Sequence, residues 1–146
     1  MTHLPNKTII AVDFDGTLCY SHFPELGEPN TPMIERLKEL QQTNNYKLIL
    51  WTCRNGQPLT DAVNFCKEYG LKFDTVNENL PEILDLYGNI DSRKVTADYY
   101  LDDKSIFPIG SDMHETMYAF ATESFDHKDS SDLKRFMMER FSKFDN

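Results

Sequence analysis

Two apolar patterns take turns along most of the chain. Short unbroken runs, Thr8-Ile9-Ile10-Ala11-Val12, Leu48-Ile49-Leu50-Trp51 and Tyr99-Tyr100-Leu101, lack the polar residue at every second place that a half-exposed strand carries. They fit strands covered on both faces, and they predict strands over Lys7–Asp13, Tyr46–Thr52 and Thr96–Leu101, with a shorter one over Leu71–Val76. Between them, apolar residues recur at helical spacing. Ile34, Leu37 and Leu40 mark a helix that Thr31 can cap, with Pro32 at its first position, and that Asn44-Asn45 ends. Leu59, Ala62, Val63, Cys66 and Tyr69 mark a second helix from about Pro58 to Tyr69, stopped by Gly70. The stretch Asn77–Val95 reads as helix or loop, and Met113–Ala121 as helix. After a polar loop over His127–Asp132, Leu133, Phe136, Met137, Phe141 and Phe144 give an amphipathic helix that packs on one sheet face.

Strands alternating with helices imply crossover connections and a mostly parallel sheet. The expected architecture is α/β, a three-layer Rossmann-like sandwich forming one domain over residues 1–146. Its chemistry-bearing part covers about 7–105, and C-terminal helices follow over about 111–144. The 146 residues suit one domain with a sizeable core. No long apolar segment or signal pattern is present, which predicts no membrane partner. Three cysteines, Cys19, Cys53 and Cys66, lack metal-type spacing and read as reduced thiols of a cytoplasmic protein. A net charge of −9 argues against a nucleic-acid polymer as partner, while leaving room for a local basic pocket that takes one phosphate.

In parallel sheets, ligands sit at the carboxyl ends of the strands near a switch in strand order. Three predicted strand ends carry polar chemistry: Asp13 with Asp15, Thr52, and Asp102-Asp103. Aspartate and glycine also serve as plain turn residues, threonine as a plain strand residue, and an acid pair as solvated surface. Against those readings stands the cost of burying adjacent acids without a cation. The strand holds Asp13 rigidly, Gly16 permits a turn with positive φ, and Thr52 can donate its hydroxyl to a phosphate oxygen. Asp102 and Asp103 offer the oxygen ligands that Mg²⁺ prefers.

These residues resemble the motifs of the haloacid dehalogenase-like hydrolase superfamily. Asp13-Phe14-Asp15-Gly16-Thr17 is similar to its first motif, Leu50-Trp51-Thr52 to its second, and Leu101-Asp102-Asp103 to its fourth. The resemblance implies that Asp13 attacks phosphorus to form an aspartyl-phosphate, and that Asp15, with a raised pKa, protonates the leaving oxygen and then activates water. It implies Mg²⁺ held by Asp13, by the backbone carbonyl of Asp15 and by Asp103, with Asp102 in support. Gly16, Thr17, Arg54 and Lys104 would line the substrate phosphate. By family order Lys94, preceded by Arg93, is the lysine of the third motif, with Lys104 and Arg54 as rivals. A strand of five or six residues spans about 17–20 Å, so Lys94 reaches phosphate only if the chain around Ser92–Thr96 stays near the active edge or the strand is very short.

The segments Cys19–Asn30 and Asn77–Val95 are too short to fold as a separate cap domain, so the pocket should be open. Tyr20, His22, Phe23, Asn77, Glu78 and Asn79 would stand near its mouth. A homo-oligomer that closes the pocket is compatible with the sequence. The expected function is Mg²⁺-dependent hydrolysis of a phosphate monoester of a small metabolite. The alternatives are a nucleotidase or nucleic-acid-end phosphatase, and a non-catalytic phosphate-binding domain. Phosphotransfer is disfavoured because it must exclude water, which an uncapped site does not.

Overall fold

The computed structural model describes residues 4, 7–20, 22–105, 113–125 and 132–136. Four parallel strands, β1 (Thr8–Val12), β2 (Tyr46–Leu50), β3 (Thr75–Val76) and β4 (Tyr99–Leu101), lie in the order β3-β2-β1-β4. The helices are α1 (Thr31–Gln42), α2 (Gly56–Glu68), α3 (Pro81–Leu86) and α4 (Met113–Thr122), and residues 132–136 are also helical. The fold is the α/β parallel-sheet sandwich that the alternating pattern predicts.

The period of two along β1 divides its side chains between two apolar clusters. Ile10 and Val12, followed by Phe14, face Leu37 and Leu40 of α1, Ala62 and Cys66 of α2, Phe120 of α4, and Leu133. Ile9 and Ala11 face the other way, onto Leu80, Ile83 of α3, Val95 and Leu4. Every residue of β1 is buried, which is why its sequence shows no alternation. From β1 the chain winds outward through β2 and β3, then returns to the opposite side of β1 as β4. That reversal puts the switch in strand order between β1 and β4.

Several predicted boundaries shift, with visible causes. β3 and β4 have two and three residues where longer strands were expected. At each start an aspartate does the work of the ladder: Asp74 Oδ2 accepts the Leu48 N–H and Asp98 Oδ2 accepts the Ile9 N–H, both at 2.8 Å. A side-chain oxygen thus takes the bond that a further strand carbonyl would have accepted. Asn30, not Thr31, precedes α1, and its amide donates to Thr17 O at 3.0 Å instead of capping the helix. α2 begins at Gly56, so Pro58 sits in its first turn, where its missing N–H costs nothing. Asp132 is buried in a helical segment rather than in a loop. Residues 127–131 of the expected polar loop, and Met137, Phe141 and Phe144 of the expected last helix, lie outside the described residues. No described helix is long and apolar enough to cross a membrane.

Candidate metal centre at the strand ends

Val12 of β1 and Leu101 of β4 are register partners, so the next residues, Asp13 and Asp102, leave the sheet side by side. The Asp13 N–H donates to Leu101 O at 2.9 Å and carries the ladder one step past the strands. Oxygens of Asp13, Asp102 and Asp103 all lie within 4.8 Å of one another. The turn after β1 makes room for them. Gly16 has φ +82°, and a Cβ added there would lie 2.0 Å from Asp103 Oδ2. The Asp103 carboxylate therefore occupies space that only glycine leaves open. Thr17, fully buried, donates its hydroxyl to Asp13 Oδ2 at 3.4 Å. The Lys104 N–H donates to Asp102 Oδ1 at 2.9 Å.

The cluster is short of positive charge. Burial pushes the Asp13 carboxyl up to about 7, helped by the charge of Asp102, by a proton shared with Asp103 and by the charge of Asp103, against the Phe14 N–H that favours its ionised form. Asp103 Oδ1 is buried and accepts no hydrogen bond. A buried carboxylate oxygen without a donor is costly unless a cation meets it. Three converging carboxylates, one with an orphaned oxygen, have the donor set of a hard divalent ion. The residues present fit such an ion.

The Asp15 side chain turns elsewhere. Arg54 Nε donates to its Oδ2 and Arg54 NH2 to its Oδ1, each at 2.8 Å, a two-point grip on the carboxylate. Arg54 is buried, its NH1 also donates to Pro24 O and Pro58 O, and its NH2 to Glu25 O. Its guanidinium carbon lies 5.0 Å from the Phe14 ring centroid and 5.1 Å from that of Phe23. All five N–H donors are spent inside the chain. This corrects the expectation that Arg54 contacts phosphate: no donor is left over. The raised carboxyl at this strand end belongs to Asp13. The gathered carboxylates are likewise those of Asp13, Asp102 and Asp103, without that of Asp15.

Thr52 stands two residues past β2, fixed by its N–H to Asn77 Oδ1 at 2.8 Å. Its hydroxyl oxygen accepts the Arg54 N–H at 3.1 Å, which leaves the hydroxyl proton for another acceptor. Lys94 is exposed, with Nζ 4.7 Å from the Tyr100 ring centroid. Tyr100 pairs in register with Ala11, two residues before Asp13 and on the same face of β1. The chain near Lys94 is tethered by Asn79, whose Oδ1 accepts the Thr96 N–H at 2.6 Å. β4 has three residues, and a very short strand is one of the two alternatives that the spacing left open for Lys94. The ammonium packs on Tyr100, and no described bond joins it to the three carboxylates. Arg93 and Lys104 are exposed.

Asn77 and Asn79, which the sequence places near the pocket mouth, serve as ties within the fold. Asn79 is buried and donates to Asp91 Oδ1 at 2.6 Å and Ser92 Oγ at 3.2 Å as well as accepting from Thr96, so it is a hub rather than a turn residue. Asn77 ties β2 to β3, taking positive φ (55°) and donating its N–H to Leu50 O at 2.7 Å.

The fold and site together define an α/β parallel-sheet protein with an acidic centre at its topological switch point. The chain is 37% identical to a conserved protein from Bacteroides thetaiotaomicron of solved structure, with a TM-score of 0.63, over 78% of this chain and 89% of that one. It belongs to the same family as that protein. No protein-family model and no curated protein matches the chain.

Proposed function

We propose that the protein is a divalent-metal-dependent phosphate monoester hydrolase of the haloacid dehalogenase-like kind, acting on a small phosphorylated metabolite. The observation that carries this reading is the group of three carboxylates at the adjacent ends of β1 and β4, with an oxygen of Asp103 that lacks a donor. Asp13, Asp102 and Asp103, with the backbone carbonyl of Asp15, would hold Mg²⁺. The ion's charge offsets the repulsion between a carboxylate and a phosphate dianion.

Asp13 supplies the nucleophile. Its carboxylate oxygen forms a bond to phosphorus as the ester P–O bond breaks, and the leaving oxygen takes a proton from Asp15. Water then attacks the aspartyl-phosphate and gives a proton to Asp15, which releases inorganic phosphate and restores Asp13. Arg54 holds the Asp15 carboxylate at two points, two residues along the chain from the nucleophile. Acting first as an acid requires that this grip loosen when substrate binds. The Thr52 hydroxyl and Lys94 would take the remaining phosphate oxygens. The free thiols of Cys19, Cys53 and Cys66 suit a cytoplasmic setting.

Release of phosphate from an aryl phosphate tests the reading. Turnover that needs Mg²⁺, stops with a chelator and disappears in Asp13→Asn supports it. Turnover that survives Asp13→Asn, or no release from any phosphate ester with Mg²⁺ present, overturns it.

A further inference from the structure

The loop between β1 and α1 folds back on itself as a narrow flap. Cys19 pairs with Pro29 and His22 with Glu25 in antiparallel bridges, and the Tyr20 N–H donates to Glu28 O at 2.8 Å. Gly27 allows the close approach: a Cβ there would lie 1.6 Å from the Tyr20 carbonyl oxygen. Arg54 fastens the flap tip to the site. It donates to Pro24 O at 2.9 Å and Glu25 O at 3.0 Å while gripping Asp15. The Phe23 ring packs on the same guanidinium, yet Phe23 stays 62% exposed and Tyr20 59%.

Burying a guanidinium is costly unless every donor is met. Here all of them are met, and the result is a loop tip tied to Arg54, with the Phe23 ring on the guanidinium that grips Asp15. Single exposed aromatics are ordinary. Phe23 stands at the pinned tip, linked through Arg54 to a carboxylate of the site, and Tyr20 lies three residues before it on the same loop.

We propose that Tyr20 and Phe23 are a stacking platform for the leaving group. The substrate is then a phosphate monoester bearing an aromatic ring system, of the nucleoside monophosphate type, rather than a bare sugar phosphate. The inference rests on the proposed function, in which Asp15 protonates the leaving oxygen, so that the group on that oxygen departs on the flap side. Flat aromatic faces bind planar π systems, which a sugar phosphate lacks. The net charge of −9 repels a polymer of phosphates but bears much less on a single one.

A matched pair decides the matter: a nucleoside 5′-monophosphate against ribose 5-phosphate, which present the same reacting ester with and without the base. The expected kcat/KM ratio is about tenfold or more in favour of the nucleotide, and it falls toward one in Phe23→Leu and Tyr20→Leu while Tyr20→Phe retains it. A ratio near one in the unaltered protein, or one that neither leucine variant moves, overturns the inference. So does conversion of an oligomer to monomers by these variants with the ratio unchanged, which would make the flap tip a contact between copies. Should neither ester be hydrolysed, the proposed function fails separately, and calorimetric titration of the same two compounds in Mg²⁺ still decides. Tighter binding of the nucleotide by about tenfold, lost in Phe23→Leu, supports the platform, and equal or absent binding overturns it.

Discussion

The carboxylate of Asp103 lies where a side chain at Gly16 would be, with Oδ2 2.0 Å from the place of the missing Cβ. Two segments far apart in sequence are thus fitted to each other by one absent methyl group. Gly16→Ala must push Asp103 out of the cluster and also strain a backbone at φ +82°. Affinity for Mg²⁺ or Mn²⁺ should fall by about 10–100-fold, the usual effect of disturbing the support of a ligand. Calorimetric titration measures it, with circular dichroism to show that the sheet is retained. Affinity equal to that of the unaltered protein would contradict the assignment of Asp103.

The raised carboxyl of Asp13 makes the metal-free protein sensitive to pH. Its folded value, about 7, lies above the ordinary 3.8, so the folded state binds this proton more tightly than the unfolded state does. The stabilisation is full below about 4 and is lost as pH rises through about 7. Thermal melts in chelator should therefore fall between pH 5 and pH 8 by a margin that Asp13→Asn removes. Metal competes with the proton for the same oxygens, so added Mg²⁺ should raise the melting temperature more at pH 8 than at pH 5.

Arg54 unites Asp15, the flap and the start of α2. Removing it in Arg54→Ala leaves a part-buried carboxylate and three backbone carbonyls without their donor. The expected loss is about 3–5 kcal/mol, read from urea unfolding. Arg54→Lys should recover little of it, because an ammonium cannot form the planar two-point contact.

Lys94 and Lys104 can be told apart by rate. If Lys94 neutralises the substrate phosphate, Lys94→Ala should lower kcat/KM by about 10–100-fold, the scale of a charged hydrogen bond of ~1.5–3 kcal/mol. Lys104→Ala should change it little, since the described contact of Lys104 is made by its backbone N–H to Asp102. The opposite pattern would transfer the role to Lys104.

Local patterns carried the parts of the fold that depend on local physics. β1 and β2 are legible because burial on both faces forces unbroken apolar runs, and α1 and α2 because a half-buried helix repeats its apolar positions. The meeting of Asp13 with Asp102 and Asp103 was legible from topology, since adjacent parallel strands deliver their end residues to one edge. The true lengths of β3 and β4 were not. Asp74 and Asp98 replace strand carbonyls with carboxylates, and aspartate before an apolar run looks the same whether or not it takes a neighbour's N–H. The position of Arg54 suggested a phosphate ligand, but three of its partners are the carbonyls of Pro24, Glu25 and Pro58. Backbone carbonyls leave no mark in a sequence, so an arginine they saturate looks the same as one that is free to bind substrate.

Among the described residues, β3 and β4 are also the outer rails of the sheet. Their brevity protects the molecule. A strand of two or three residues offers too few outward-facing amides for a foreign chain to extend the sheet, so aggregation by edge-to-edge recruitment has little purchase. The same aspartates that shorten these strands thereby limit edge pairing in a sheet whose first strand is buried along its whole length.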